Sequence, residues 1–176
     1  MRRRLRDEAA NGRENSQAIV AAIVSDPMWE NVNTLALFSA LPGEPDLAAL
    51  WEKGPKRFCY PRVEENGMRF FEIRTPAELL PSQWHPKVLE PSGDASRLVA
   101  VEEIELILVP GLAFTRDGHR MGRGGGFYDR FLERAPASTF KLGVCFECQI
   151  VPEIPWEAHD QKMDAVVTEE GMTKFE

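Results

Sequence analysis

Cysteine is scarce in this sequence and comes in an odd number: Cys59, Cys145 and Cys148. An odd count argues against a disulfide framework. Cys145 and Cys148 form a C-x-x-C, the spacing of a redox pair or half a zinc site, but no second C-x-x-C completes such a site. The run 142–146 reads instead as a buried strand, with Cys145 as a small core residue. No apolar run approaches transmembrane length and no apolar signal core opens the chain, so a soluble, cytoplasmic protein is expected. Cations are outnumbered, 21 Lys and Arg against 28 Asp and Glu, for a net charge of −7. That balance disfavours wholesale nucleic-acid binding but allows a local basic patch on a small polyanion. Internal repeats and low-complexity segments are lacking, as is any Ser-His-Asp or Cys-His nucleophile signature. What is present is 176 residues with 43% hydrophobic content, enough for one domain spanning 1–176 with a real core.

The most informative stretch is 106–130, LILVPGLAFTRDGHRMGRGGGFYDR. Leu106, Ile107, Leu108 and Val109 read as a buried strand, stopped by Pro110 and Gly111. A polar, glycine-dense loop follows over 115–126, and Phe127, Phe131 and Leu132 are spaced for one face of a helix. Strand, glycine loop and helix start is an α/β arrangement for anions, in which loop amides converge on phosphate oxygens. Gly122, Gly124, Gly125 and Gly126 carry no Cβ to keep a phosphate from the backbone. Arg120 and Arg123 add planar cationic forks, and Asp129 offers a hard oxygen ligand where Mg²⁺ on phosphates would sit. No Gly-Lys-Ser/Thr closes the loop, so it is not a Walker loop. No strand immediately precedes Gly122, so it is not the dinucleotide fingerprint.

Along the rest of the chain, Leu5, Ala9, Ile19, Val20 and Ile23 suggest a long amphipathic helix, weak at Asn11-Gly12 and ended by Pro27. Strands are expected over 34–39, 57–60 (ended by Pro61), 68–73, 140–146 and 165–168, the last of the chain. Asn66-Gly67 signals a hairpin, Asp46 caps a short helix carrying Leu47, Leu50 and Trp51, and Thr75 to Glu78 read as a capping box. Residues 81–94 are expected to be irregular, with Trp84 and His85 covering the core. Glu44, in the turn after the first strand, lies where α/β sheets place ligand contacts. Strands separated by helical segments give an α/β fold, three layers α/β/α around a mixed, mostly parallel sheet.

The chain resembles the 5-formyltetrahydrofolate cyclo-ligase family, also called 5,10-methenyltetrahydrofolate synthetase. The resemblance runs through the basic N-terminal segment 2–6, the Glu-bearing turn 41–46, Tyr60-Pro61-Arg62-Val63 and Glu90-Pro91. It continues through the central motif 109–130 and, C-terminally, Phe146, Gln149, Pro155, His159, Asp160 and Asp164. It departs from the family pattern at Arg2 (Lys), Thr115 (Asp), Phe127 (Tyr) and Lys87 (Gly). The resemblance implies a cyclo-ligase fold of the NagB-RpiA-CoA-transferase-like kind. It also implies an ATP- and Mg²⁺-dependent ligase that closes 5-formyltetrahydrofolate to 5,10-methenyltetrahydrofolate through phosphorylation of the formyl oxygen and attack by N10. Two alternatives stand beside it: a non-catalytic nucleotide- or folate-binding member, and a related ATP-dependent ligase or kinase on another small molecule.

The same resemblance implies roles for particular residues. Arg2, Arg3, Arg4, Leu5 and Arg6 resemble an ATP-binding arm, and Arg120, Met121, Gly122, Arg123, Gly124, Gly125, Gly126, Phe127 and Tyr128 the main nucleotide loop. Ser39, Glu44, Arg123, Gly124, Gly125, Gly126 and Phe127 align with folate contacts, and Asp129 and Asp160 with Mg²⁺ ligands. Arg123, Tyr128 and Asp129 are the candidate catalytic residues. The expected partners are 5-formyltetrahydrofolate and MgATP, with no nucleic acid or membrane, acting in a monomer or weak homodimer.

Overall fold

A computed structural model of the protein describes residues 11–65, 67–84, 86–157 and 160–175. The basic arm of Arg2, Arg3, Arg4, Leu5 and Arg6 lies outside the described residues, as do Asn66, His85 and His159.

Helix α1 (Gly12–Ser25) begins at the weak point read from the sequence, with Asn11 as its N-cap. It buries Ser16, Ile19, Val20 and Ile23, a spacing that lines one face. A single turn, α2 (Met28–Asn31), buries Trp29. The strands are β1 (Thr34–Ala36), β2 (Arg57–Glu64), β3 (Gly67–Ile73), β4 (Leu80–Pro81), β5 (Leu89–Glu90), β6 (Leu98–Val99), β7 (Leu106–Val109), β8 (Ala113–Phe114) and β9 (Arg120–Met121). Helix α3 (Phe127–Leu132) and strands β10 (Phe140–Val144), β11 (Ala165–Thr168) and β12 (Gly171–Lys174) follow.

Eight strands form one sheet in the order β12-β11-β10-β7-β1-β2-β3-β6. The pairs among β11, β10, β7, β1 and β2 are parallel, and those of β12, β3 and β6 are antiparallel. Alternation along each strand splits the core in two. Leu35, Leu106, Leu108, Leu142, Val144, Ala165 and Val167 pack toward α1 and Trp29. Ala36, Ile107, Val109, Val166 and Cys145 pack on the opposite face with Phe114 and with Phe131 and Leu132 of α3. Both faces of the central strands are therefore covered, which is why Leu106–Val109 is apolar throughout. Cys145 belongs to one cluster and Cys148 packs against the other, so the C-x-x-C straddles the sheet. Burial pushes the Cys145 thiol well above its ordinary value.

Several expectations give way to the tertiary structure. Pro61 does not end β2, which runs on to Glu64, and Pro61 pairs with Phe70. Beyond Cys59, β1 no longer accompanies β2, so Pro61 sits on an open edge where a missing N–H costs no ladder bond. Thr75 makes no side-chain cap, and Glu78 accepts instead from the Arg74 N–H at 3.2 Å. The expected helix there is one 3-10 turn, and Leu80 opens a small hairpin with β5 inside the stretch expected to be irregular. Trp84 does not cover the core: it is 66% exposed. The stretch 115–126 is not loop throughout: β9 lies within it and pairs with β8, just before it, as a tight hairpin ahead of the glycine run. The last strand is β12 rather than β11, an antiparallel edge reached through Gly171 at φ +126°.

Candidate functional site

The chain leaves the adjacent strands β1 and β7 in opposite directions, to β2 on one side and to β10 on the other. That reversal opens a crevice at the carboxyl ends of the two strands, the usual ligand position in open α/β sheets. The loop after β1 delivers Glu44 and the loop after β7 delivers Arg123, and the two meet across the crevice. Arg123 donates to Glu44 Oε1 from Nη2 at 2.7 Å and from Nε at 3.2 Å. Glu44 is set by its own turn: its N–H donates to the Leu41 carbonyl and its Oε2 accepts the Leu41 N–H, both at 2.9 Å. Its side chain is 5% exposed, whereas that of Arg123 is 50% exposed. The carboxylate is therefore the buried partner and the cation the exposed one.

Past the β8–β9 hairpin the backbone runs through 122–126 with Gly124 at φ +90° and Gly126 at φ +62°, a conformation that side chains resist. Among the described residues, no amide N–H from 122 to 126 donates to a protein acceptor. Five consecutive amides without a protein acceptor are a donor set suited to an anion. Helix α3 has only six residues, so these amides rather than a long helix dipole would hold it. Thr115 holds the turn of the hairpin, its Oγ1 accepting the His119 N–H at 3.0 Å and donating to Asp117. The ring of Phe127 lies under the Arg130 guanidinium, 5.2 Å from its centroid, and over Gly125, where a Cβ would stand 2.8 Å from it.

Beside this loop Arg120 donates from Nη2 to Asp129 Oδ1 at 2.7 Å and lies over the ring of Tyr128, 5.8 Å from its centroid. Asp129 Oδ2 accepts from no described residue. The Tyr128 hydroxyl is buried with no partner among the described residues. Burial raises the pKa of the phenol, the charge of Glu44 adds to this, and Arg120 opposes it. Tyr128 therefore keeps its proton and its hydroxyl is available as a donor.

Other expected residues are placed more loosely. The Ser39 hydroxyl donates to the Leu89 carbonyl at 2.5 Å, tying the exposed hairpin β4–β5 to the loop after β1. Asp160 Oδ2 accepts the Glu157 N–H at 2.7 Å in the loop before β11. Among the described residues, no three His, Cys, Asp or Glu side chains gather as a ready metal cage. Two motifs far apart in sequence do meet. Arg62 pairs with the buried carboxylate of Glu90 at 3.4 Å and donates to the Pro91 carbonyl at 2.7 Å. Sequence reasoning gave Gln149 no role. It is buried and donates from Nε2 to the carbonyls of Gly111 and Leu112 at 2.9 and 3.3 Å, while its Oε1 accepts the Phe146 N–H at 2.9 Å. It thereby fixes the start of the loop after β7 against the end of β10. Its signal in the sequence was its place in the C-terminal pattern that resembles the family.

Fold and site define an α/β protein with an anion-receptive glycine loop at the switch point of its sheet. The chain belongs to the 5-formyltetrahydrofolate cyclo-ligase family, whose model matches residues 1–169. It is 30% identical to a probable 5-formyltetrahydrofolate cyclo-ligase of Schizosaccharomyces pombe, over 90% of this chain and 86% of that protein. It is also 30% identical to the 5-formyltetrahydrofolate cyclo-ligase of Escherichia coli, over 88% of each. Among solved structures it matches the 5,10-methenyltetrahydrofolate synthetase of Aquifex aeolicus with a TM-score of 0.81 and 30% identity, over 95% of this chain and 84% of that one.

Proposed function

We infer that this chain is an ATP-dependent ligase that converts 5-formyltetrahydrofolate to 5,10-methenyltetrahydrofolate, with release of ADP and phosphate. The observation that carries this reading is the row of amides over 122–126 without a protein acceptor among the described residues, in the same loop as Arg123, which pairs with Glu44 at the switch point. An amide oxygen is a poor leaving group. Transfer of the γ-phosphoryl group to the formyl oxygen makes it a good one, and N10 then closes the ring as phosphate departs. Such a transfer needs positioning and charge neutralisation more than a protein nucleophile.

The residues divide that work. The amides of 122–126 and the half-exposed Arg123 hold the triphosphate, and Arg2, Arg3, Arg4, Leu5 and Arg6 are further ATP contacts. Glu44 and Ser39 orient the pterin, Glu44 as an acceptor for its N–H groups. Tyr128, with its proton on, donates to an oxygen of the transferring group. Asp129 fits a Mg²⁺ ion: Oδ1 is held by Arg120 while Oδ2 remains available on a part-exposed side chain. Asp160 would add a second carboxylate, and phosphates and waters the rest, as is usual for Mg²⁺. The ion would neutralise phosphate charge. We infer a cytoplasmic setting, in which the enzyme works as a monomer or weak homodimer on small molecules.

Incubation of the purified protein with MgATP and 5-formyltetrahydrofolate tests the reading. Near-ultraviolet absorbance of the methenyl product should rise in step with ADP. ATP hydrolysis that ignores the folate would overturn it. Asp129→Asn should lower turnover by about 10²-fold or more while circular dichroism stays unchanged; normal turnover in that variant removes Asp129 from the site.

A further inference from the structure

The hairpin β4–β5 is not seated by apolar burial. Its large apolar side chains Leu80, Trp84 and Leu89 are exposed, whereas Ser82 and Glu90 are buried. Two polar anchors hold it instead, one on each side. On the sheet side, Arg62 of β2 donates from Nη1 to the Pro91 carbonyl at 2.7 Å and pairs with Glu90 Oε1 at 3.4 Å. The chain beyond Pro91 lies close against the same guanidinium, for a Cβ at Gly93 would stand 2.9 Å from Arg62 Nε. On the other side, the Ser39 hydroxyl donates to the Leu89 carbonyl. Leu89 and Glu90 are neighbours in sequence, so the two anchors are one peptide unit apart.

We propose that Arg62 and Glu90 are a positioning pair for folate binding: they seat the β4–β5 hairpin so that the Leu89 carbonyl holds the Ser39 hydroxyl in one orientation. The proposal rests on the reading of Ser39 as a pterin contact. The Glu90 side chain is 4% exposed, and a hairpin displaced from Arg62 would strand that carboxylate without its cation, so one seat is strongly favoured. With its proton committed to Leu89, the Ser39 hydroxyl presents lone pairs, and it meets the pterin as an acceptor, like Glu44. Arg62 acts through the hairpin. It leaves β2 on the face of Tyr60, opposite the face on which Met68 and Phe70 pack with Phe131 of α3, the helix that follows the glycine loop.

Steady-state kinetics on the wild type, Arg62→Lys, Glu90→Gln, Ser39→Ala and the double variant Arg62→Lys with Ser39→Ala test the pair. Lysine keeps the charge but not the planar fork, and glutamine keeps the shape but not the charge. Arg62→Lys should raise the KM for 5-formyltetrahydrofolate about tenfold while the KM for ATP stays within about twofold of the wild type. Glu90→Gln should move the same KM in the same direction; it serves if Arg62→Lys melts below the assay temperature. The double variant should show a folate KM no higher than that of Ser39→Ala alone, because Arg62 works through that hydroxyl. A lower thermal midpoint with both KM values unchanged is the mark of a merely structural pair and overturns the proposal. So do equal rises in both KM values. Additive losses in the double variant also overturn it, since they give Arg62 a contact of its own with the substrate. An unchanged folate KM in Ser39→Ala removes the pterin contact on which the proposal rests. Failure of the broader reading is distinct: it shows in the wild type, as no closure of 5-formyltetrahydrofolate at all, and the proposal falls with it.

Discussion

At the scale of single residues, the four glycines of the loop are not equivalent. Gly124 faces open space but holds φ +90°, so Gly124→Ala strains only the backbone, at a cost of about 1–2 kcal/mol. Gly125 and Gly122 lie against Phe127 and Arg120 and serve packing within the loop. Gly124→Ala should therefore lower the thermal midpoint by a few degrees, a shift that differential scanning calorimetry would detect; a gain in stability would show that the loop is not held at that angle. Tyr128 is the converse case. Its hydroxyl is buried without a partner among the described residues, so Tyr128→Phe should leave stability unchanged or slightly raised in urea titrations. Its turnover should fall, because the donor is used only in the complex. Loss of stability by more than about 1 kcal/mol would mean that the hydroxyl is satisfied in the free protein.

At the scale of elements, the loops that carry the site are pinned by side chains that never touch a ligand. Gln149 occupies three backbone groups, at Gly111, Leu112 and Phe146. Gln149→Leu would leave them buried and unpaired, at a cost of about 2–4 kcal/mol. Chemical denaturation would measure it, and a cost below 1 kcal/mol would show that water replaces the amide. Strand β1 starts from a comparable device. The Glu105 carboxylate accepts the N–H groups of Thr34 and Asn33 at 2.8 and 2.5 Å, and these bonds, that from Thr34 first, lower its pKa below the ordinary 4.5. A depressed carboxylate stabilises the fold at pH above its unfolded value and loses that contribution as pH falls through the folded one. Because Glu105 is exposed, Glu105→Gln should cost only about 1 kcal/mol at pH 7. The difference from the wild type should close below pH 4.5. A gap that persists at pH 3 would assign the cost to packing instead.

Across the whole molecule, the sheet and the site depend on one close approach. A Cβ at Gly143 of β10 would stand 2.6 Å from the Phe114 ring and 3.0 Å from Val166. Phe114 is fully buried and begins the hairpin that leads to the glycine loop. Gly143→Ala should therefore cost about 1–3 kcal/mol by overpacking and raise the KM for ATP as well, since Phe114 can yield only by moving β8. A stable variant with altered KM would show that the strain passes to the loop; no change in either would show that the ring has room.

How much of this was legible beforehand follows from the range of the interactions involved. The strand Leu106–Val109, the glycine loop, the helix start at Phe127 and the α/β class could be read from the sequence, because periodicity, punctuation by proline and glycine, and composition are local properties. The family motif was legible for the same reason: its residues are contiguous. Pairing was not. Pro61 looked like a terminator because the sequence cannot say that β1 stops alongside β2 two residues earlier. Gly171-Met172-Thr173-Lys174 became a strand only because β11 offered it an edge. The Glu44–Arg123 contact spans 79 residues and the Arg62–Glu90 pair joins two separated motifs. Whether an arginine in the motif lies 3% or 50% exposed depends on which glycines surround it in space. The chain alone determined which chemical groups are present and which local shapes they favour. Which of them meet, and which are withdrawn from solvent, was decided by the long-range packing of β7, β1 and the hairpin between β7 and α3.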